Sequence, residues 1–159
     1  WLETEFSSAI TRLTLSKNAI TNLGEDLSGL KALCKVLPSL KSCISLDLAG
    51  CYFKVDEVNE LAQAIQAEAA LTSINCLANK FGEDDLATLL TAIEGTSIST
   101  LCGLTEGQTT ANFSGQNLGP IDCKILAAEY GFHGFIAALN SLKCANNPGM
   151  VGELHWGNR

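Results

Sequence analysis

A short apolar pattern recurs five times along this chain, and amphipathic, helix-like sequence follows the copies. The pattern is Leu-x-x-Leu-x-Leu-x-x-Asn-x-Leu, and its Asn position is occupied in turn by Asn18, Cys51, Asn79, Gln116 and Asn147. These positions are 33, 28, 37 and 31 residues apart, which is the period of repeats that contain one strand and one helix. The pattern therefore predicts a solenoid whose function must be sought on a surface.

Alternating apolar residues inside each copy predict one short strand with one buried face. A strand of about four residues is not stable alone, so we expect the copies to pair in parallel and to pack on the helices. The amide at the Asn position is expected to satisfy backbone groups where the chain turns away from the strand. The predicted core residues are Leu13, Leu15, Leu46, Leu48, Ile74 and Phe113.

Apolar residues at intervals of three and four predict helices between the strands. Pro38 is expected to end the first helix, and the acidic run Glu83–Asp85 suits the positive end of the third. The fourth helix is predicted to be short or broken, because its pattern deteriorates at two glycines. The apolar stripes are Leu23–Leu37, Val58–Ala69, Leu86–Ile93 and the segment from Ile121 that deteriorates at Gly131 and Gly134.

The fourth copy has two possible strands. Ile98–Gly103 fits the opening of the pattern, and so does Ala111–Ser114 further along the chain. We favour the second, with Cys102–Thr110 as an insertion, in the form of a small hairpin, that emerges beside the strands.

The pattern, the helix after each strand, and Gly82 and Gly119 three residues past the Asn position resemble leucine-rich repeats of the ribonuclease-inhibitor type. The resemblance covers about Ile10–Asn147, and the stretch from Leu101 to Glu129 is similar to a repeat variant in predicted proteins of protists, including photosynthetic ones. The resemblance to leucine-rich repeats implies an α/β solenoid, a horseshoe of about five repeats, with a parallel strand ladder on the concave face and helices on the convex face. The family uses such surfaces for protein contacts. Cys51 and Gln116, and the uneven spacing, depart from the family pattern.

Composition agrees with a single repeat domain over residues 1–159. Charged residues make up 17% of the chain, below the roughly 25% of globular proteins, and the net charge is −7. Two arginines and the absence of a basic cluster disfavour nucleic-acid binding. No run of 18 apolar residues and no signal peptide are present, and the start at Trp1 suggests a processed chain or a piece of a longer one.

The seven cysteines indicate buried free thiols rather than metal or redox chemistry. Cys43, Cys76 and Cys144 occupy core positions of the pattern, and no C-x-x-C pair is present. We therefore expect a reducing intracellular compartment, either the cytoplasm or the interior of an organelle, with organelle targeting left open. The sequon at Asn112 is interpreted as a chance match, because it falls in a predicted strand.

No catalytic, cofactor or metal site is predicted. His133 and His155 are the only histidines, and the repeat pattern brings neither close to a nucleophile such as Cys123. Glu83–Asp85 are interpreted as a helix start rather than as metal ligands.

The candidate binding residues are the outward positions of the predicted strands, which are mostly small and uncharged. They are Thr14, Ser16, Asp47, Ala49, Asn75, Leu77, Asn112, Ser114, Lys143 and Ala145. We add Trp156 as an anchor, because the apolar segment Pro148–Trp156 is expected to pack against a partner or a further part of the chain. A non-catalytic protein-binding or scaffold module in a larger assembly is the favoured function. The alternatives are a regulator of an enzyme in trans, such as a GTPase activator or inhibitor, and a peripheral subunit of a membrane complex of a protist, conceivably a photosynthetic one.

Overall fold

The fold was derived from a computed structural model that describes residues 10–40, 42, 45–67, 70–129 and 138–151. Within these residues, short strands alternate with four helices in a mixed α/β arrangement. The elements are β1 (Arg12–Thr14), α1 (Ser28–Val36), β2 (Ser45–Asp47), α2 (Val55–Gln66), β3 (Ser73–Asn75), α3 (Glu83–Ile93), β4 (Thr110–Asn112), α4 (Pro120–Glu129) and β5 (Ser141–Lys143).

The strands pair in parallel, as the alternating pattern predicted, but they form two sheets. One sheet has the order β1-β2-β3, with Leu13, Leu46 and Ile74 side by side. The second consists of β4 and β5, with Ala111 beside Leu142. No ladder joins β3 to β4 among the described residues. We call this gap the seam.

Both segments considered for the fourth strand are used, each for a different purpose. Ala111 lies in β4, as favoured, but β4 pairs with β5 and not with β3. The segment Ile98–Leu104, which we call the strap, lies beside β3 instead. Thr100 pairs with Ser73 in parallel and Cys102 pairs with Asn75 in antiparallel, so the strap runs along β3 and then turns back. The insertion following Cys102 makes a turn at Glu106 and Gly107, without hairpin strands.

The predicted core is largely confirmed. Leu46, Leu48, Ile74 and Phe113 are buried in one cluster with the apolar faces of the helices. Leu13 and Leu15 are only partly buried against it.

The helices follow the predicted stripes, with one error at the start of the first. Leu23 is 52% exposed in a short 3-10 turn, and α1 begins only at Ser28, so Leu23 is not a core residue. α1 ends at Val36, two residues before the predicted end at Pro38, which lies in a 3-10 turn over Leu37–Ser39. Ala69, the last residue of the second predicted stripe, lies outside the described residues, and so does the helix break predicted at Gly131 and Gly134.

A left-handed residue precedes the Asn position in all five copies of the pattern. A φ near +60° reverses the chain at the end of each strand, and side chains other than glycine adopt it at a cost. The five residues are Lys17, Gly50, Ala78, Gly115 and Asn146, with φ of 60°, 65°, 57°, 66° and 58°.

Candidate protein-binding surface

The outer face of the strands carries the predicted binding residues, with one exception. Thr14, Asn112, Lys143 and Ala145 are exposed. Leu77 is 0% exposed, so its prediction as an outward residue is wrong: the strand ends at Asn75, and Leu77 lies in the buried turn that follows. The partly buried members of the set are Ser16, Asp47, Ala49, Asn75 and Ser114.

The first residue of each strand also belongs to this face. Arg12 lies beside Ser45 in the first sheet, and Thr110 lies beside Ser141 in the second. Each of these residues lies two positions before a predicted outward residue. The same alternation would have identified them if each predicted strand had begun two residues earlier.

The strap covers the outer face of β3. Ser73 is 5% exposed, and its Oγ donates a hydrogen bond to Leu104 O at 3.3 Å. Gly103 N donates to Ile74 O at 2.9 Å, and a Cβ on Gly103 would lie 2.8 Å from Asn75 Cβ. Only glycine fits this approach at a φ of +71°.

The outer face is therefore divided into two patches rather than continuous. We call them the β1–β2 patch, with Arg12, Thr14 and Asp47, and the β4–β5 patch, with Asn112 and Lys143. In the sequence just before β4, the chain makes a turn that is closed by the side chain of Gln108. Gln108 Oε1 accepts from Thr105 N at 3.0 Å, and Gln108 Nε2 donates to Thr110 O at 2.8 Å.

Three residues of the outer face also close their own turns. Asp47 Oδ1 accepts from Ala49 N at 3.1 Å, and the Asn112 side chain accepts from Ser114 N at 3.0 Å. Asn75 makes the same contact with Leu77 N. Substitution of these residues would therefore alter the turn as well as the surface.

The asparagines of the third and fifth copies join each turn to the one before it. Asn79 Nδ2 donates to Leu48 O at 3.0 Å, and its Oδ1 accepts from Phe53 N at 2.9 Å. Asn147, which is 6% exposed, donates to Phe113 O at 2.8 Å and accepts from Leu118 N at 3.1 Å. Phe53 and Leu118 each lie two residues past the preceding Asn position, so the two contacts are equivalent.

The second and fourth copies lack Asn. In the second, Cys51 Sγ donates to Leu15 O at 3.3 Å, which is equivalent to the contact of Asn79 with Leu48 O. In both copies a carboxylate of the following helix also reaches the preceding copy. Glu57 in α2 and Asp122 in α4 both lie six residues past the Asn position. Glu57 Oε1 accepts from Thr21 Oγ at 2.8 Å, and Asp122 Oδ1 accepts from Ala78 N at 2.7 Å. The second copy is thus joined to the first by a thiol and a carboxylate, and the fourth is joined to the third by a carboxylate.

The same two carboxylates close the starts of their helices. Lys54 N donates to Glu57 Oε2 at 3.0 Å, and Gly119 N donates to Asp122 Oδ2 at 2.7 Å. Burial works against ionisation at both sites. At Glu57 the hydrogen bonds outweigh it and lower the pKa, whereas at Asp122 burial dominates and raises the pKa.

The second acidic residue of α4 reaches the strap. Glu129 is 1% exposed, and its Oε1 accepts from Leu101 N at 2.5 Å. Its position at the end of a helix gave no signal in the sequence analysis, because the apolar stripe of α4 stops before it.

The thiols lie mainly inside the protein. Six cysteines of the described residues are free, and four of them are buried. Burial raises the pKa of the Cys34 thiol to about 11 and that of Cys76 still further, so both are in the unreactive protonated form at neutral pH. Cys144 is only half-buried, and Cys43 lies outside the described residues.

Trp156, His133 and His155 lie outside the part of the chain that the structure describes. Within that part, no cluster of three or more histidine, cysteine or acidic residues has a metal-binding arrangement. None of the described helices has the length and apolar character needed to cross a membrane.

Comparison with known proteins adds no assignment. No family model matches the chain, and no curated protein matches it significantly.

Proposed function

We propose that this chain is a leucine-rich-repeat solenoid that binds a protein partner through the outer face of its strands. The parallel register of the strands and the five equivalent left-handed turns support the solenoid. The contacts of Asn79, Asn147, Cys51, Glu57 and Asp122 with the preceding turns support stacking of neighbouring units. In such an array the outer face is the concave one.

The observation that carries the proposal is the chemistry of the two patches. Thr14, Thr110 and Asn112 expose hydroxyl and amide groups on short side chains, so another backbone can approach closely and form hydrogen bonds. Each patch, as defined above, exposes one cation, Arg12 in the β1–β2 patch and Lys143 in the β4–β5 patch, and the chain as a whole carries a net charge of −7. We therefore expect a partner segment that is mainly uncharged, with an acidic group opposite each cation.

The helical side offers a competing surface that the experiment must distinguish. A groove of about 550 Å³ lies between α2 and α3 and is lined by polar and small residues, among them Gln63 and Thr91. Its amides and hydroxyls are also suited to contacts, so a partner on this side would contradict the proposal.

Photo-crosslinking from three exposed positions tests the proposal. p-Benzoylphenylalanine is placed at Thr14, Ala145 or Gln63, and the chain is incubated with an extract of its source cells. We expect the same protein to be crosslinked from Thr14 and Ala145, and not from Gln63. The captured protein is then purified, and its identity separates a scaffold role from regulation of an enzyme or a peripheral role in a membrane complex.

Direct titration with that purified partner completes the test. Thr14→Lys and Ala145→Lys should each weaken binding about tenfold or more, equivalent to about 1.4 kcal/mol, because a long cation replaces a small contact residue. Gln63→Lys is the matched control and should leave affinity unchanged. Loss of binding in Gln63→Lys alone would place the interface on the helical side and disprove the proposal.

A further inference from the structure

The buried carboxylate of Glu129 is left with an unsatisfied oxygen. Its Oε1 accepts from Leu101 N, whereas Oε2 is buried and has no hydrogen-bond partner. Buried polar atoms in proteins are nearly always hydrogen-bonded, and an unpaired charged oxygen is especially costly. No other buried side-chain nitrogen or oxygen among the described residues is unsatisfied in this way. The arrangement is therefore unfavourable for the ionised form.

The surroundings of Glu129 do not compensate for its charge. Among the described residues, the titratable groups that interact with it are the thiols of Cys76, directly after β3, and Cys102 in the strap. Neither carries a positive charge. Burial accordingly raises the pKa of the Glu129 carboxyl, and the hydrogen bond from Leu101 N, together with the nearby polar groups of Thr100 and Cys102, opposes this only in part.

Glu129 contacts the strap at its centre. On one side, the strap is bonded to β3: Ile74 N donates to Thr100 O at 3.0 Å, and Cys76 N donates to Leu101 O at 3.0 Å. On the other side, Leu101 N donates to Oε1 of Glu129, at the end of α4. The strap thus fills the seam, and the carboxyl ties it to the second half of the molecule.

We propose that Glu129 is a proton-operated latch, which in its neutral form holds the strap over β3 and on ionisation releases it, exposing Ser73 and Asn75. The neutral carboxyl still accepts from Leu101 through its carbonyl oxygen, and it places no charge in the buried seam. In the released state the ionised carboxylate gains hydration. The first sheet then exposes the outer side of all three of its strands.

The direction of the pH effect follows from the raised pKa. The stabilisation of the latched form is fully present below the pKa of an unfolded glutamate, and it is lost as pH rises through the raised value. Since one proton is involved, the latch-opening equilibrium changes by at most about tenfold per pH unit.

Amide hydrogen exchange of the isolated chain, measured by NMR between about pH 5 and pH 8, tests the latch. Protection factors, corrected for the intrinsic pH dependence of exchange, should fall for Leu101 and Ile74 by up to about tenfold per pH unit above the pKa. The amide of Leu48, which donates to Asn75 O between β2 and β3, is an internal reference and should not follow this slope.

Two variants separate the latch from a general effect of charge. Glu129→Gln keeps an acceptor for Leu101 and cannot ionise, so protection of the strap should become independent of pH. Glu94→Gln removes an exposed carboxylate near the end of α3 and should retain the slope of the unaltered chain. An unchanged slope in Glu129→Gln would overturn the latch.

A second measurement keeps the latch falsifiable if Glu129→Gln does not fold. The ¹³C chemical shift of the Glu129 carboxyl reports its titration in the unaltered chain. Titration at or below the ordinary value of about 4.3 would overturn the proposal. Both measurements use the chain alone, so their outcome does not depend on whether the outer face binds a protein.

Discussion

Asn147 and Asn18 occupy the same position of the apolar pattern but make different contacts. Both donate to carbonyls of their own turn, Cys144 O and Leu15 O respectively. Asn147 is buried and also bridges to the preceding turn, whereas Asn18 is exposed and its described bonds are local. The contribution of an asparagine at this position to stability therefore depends on whether it also contacts the preceding turn.

This difference predicts unequal effects of the same substitution. Asn147→Ala leaves Leu118 N and Phe113 O without their partner, so it should lower the free energy of unfolding by roughly 1–3 kcal/mol. Asn18→Ala should cost at most about 1 kcal/mol. Urea denaturation followed by circular dichroism measures both. Equal losses would show that the bridge between turns contributes nothing.

The sequence predicted what the Asn position does in each turn, but not what replaces Asn. A cysteine and a glutamine were seen only as departures from the pattern. Cys51 retains the donor contact to the preceding turn, at Leu15 O. Further contacts come from Glu57 and Asp122, six residues after the Asn position, and their distance from the preceding turn depends on how the helices are placed. Spacing along one unit carries no information on that placement.

At the scale of elements, the strap depends on a glycine that packs against β3. Gly103→Ala introduces a Cβ 2.8 Å from Asn75 Cβ and also strains a φ of +71°. Gly107→Ala is the matched control: its φ is +76°, and a Cβ there has no neighbour within 4 Å. The two variants share the backbone strain, which costs roughly 1–2 kcal/mol, and differ in the clash.

We expect Gly103→Ala to be destabilised more than Gly107→Ala and to lose hydrogen-exchange protection at Ile74. Overpacking typically adds about 1–3 kcal/mol, so the difference should be measurable by thermal or urea unfolding. If the two variants are equally stable and Ile74 stays protected, the strap does not pack on β3 as described.

The strands themselves were only partly predictable. Alternation identified every strand, because burial of one face imposes it on the sequence. Two similar segments competed for the fourth strand, and their pairing partners could not be read from alternation, since both satisfy it equally. Leu23 was assigned to a helix because its spacing fits, but the preceding turn places it in solvent.

At the scale of the whole molecule, the sheet is interrupted but the core is continuous. The buried cluster includes Leu48 beside β2 and also Ile125 in α4, and both are 0% exposed. Polar contacts from α4 cross the seam as well, among them Asp122 with Ala78 N and the ion pair of Lys124 with Glu83. We therefore expect the two sheets to unfold together.

Core substitutions on either side of the seam test this expectation. Leu48→Ala and Ile125→Ala should each cost about 2–5 kcal/mol and shift one common urea transition. The amides of Leu48 and Phe113 donate to β3 and β5 respectively, in different sheets, so they report the two halves separately in hydrogen exchange. A transition that splits, with Ile125→Ala affecting only the second sheet, would show that the seam divides the molecule into independent units.

The outer face was predictable in chemistry and less so in extent. Small polar residues at outward positions follow from the strand register. Coverage of β3 could not be foreseen, because it depends on a segment between β3 and β4 whose path no periodic pattern encodes.

The contacts between successive turns also bear on which positions can vary. Asn79 and Asn147 accept from a backbone N–H of the preceding turn and donate to one of its carbonyls. Cys51 donates to the equivalent carbonyl, Leu15 O. Because these partners are backbone groups, each contact is independent of the side chain at the preceding Asn position, where Asn79 and Asn147 meet a cysteine and a glutamine. A substitution in one turn therefore leaves the contact made by the next turn available.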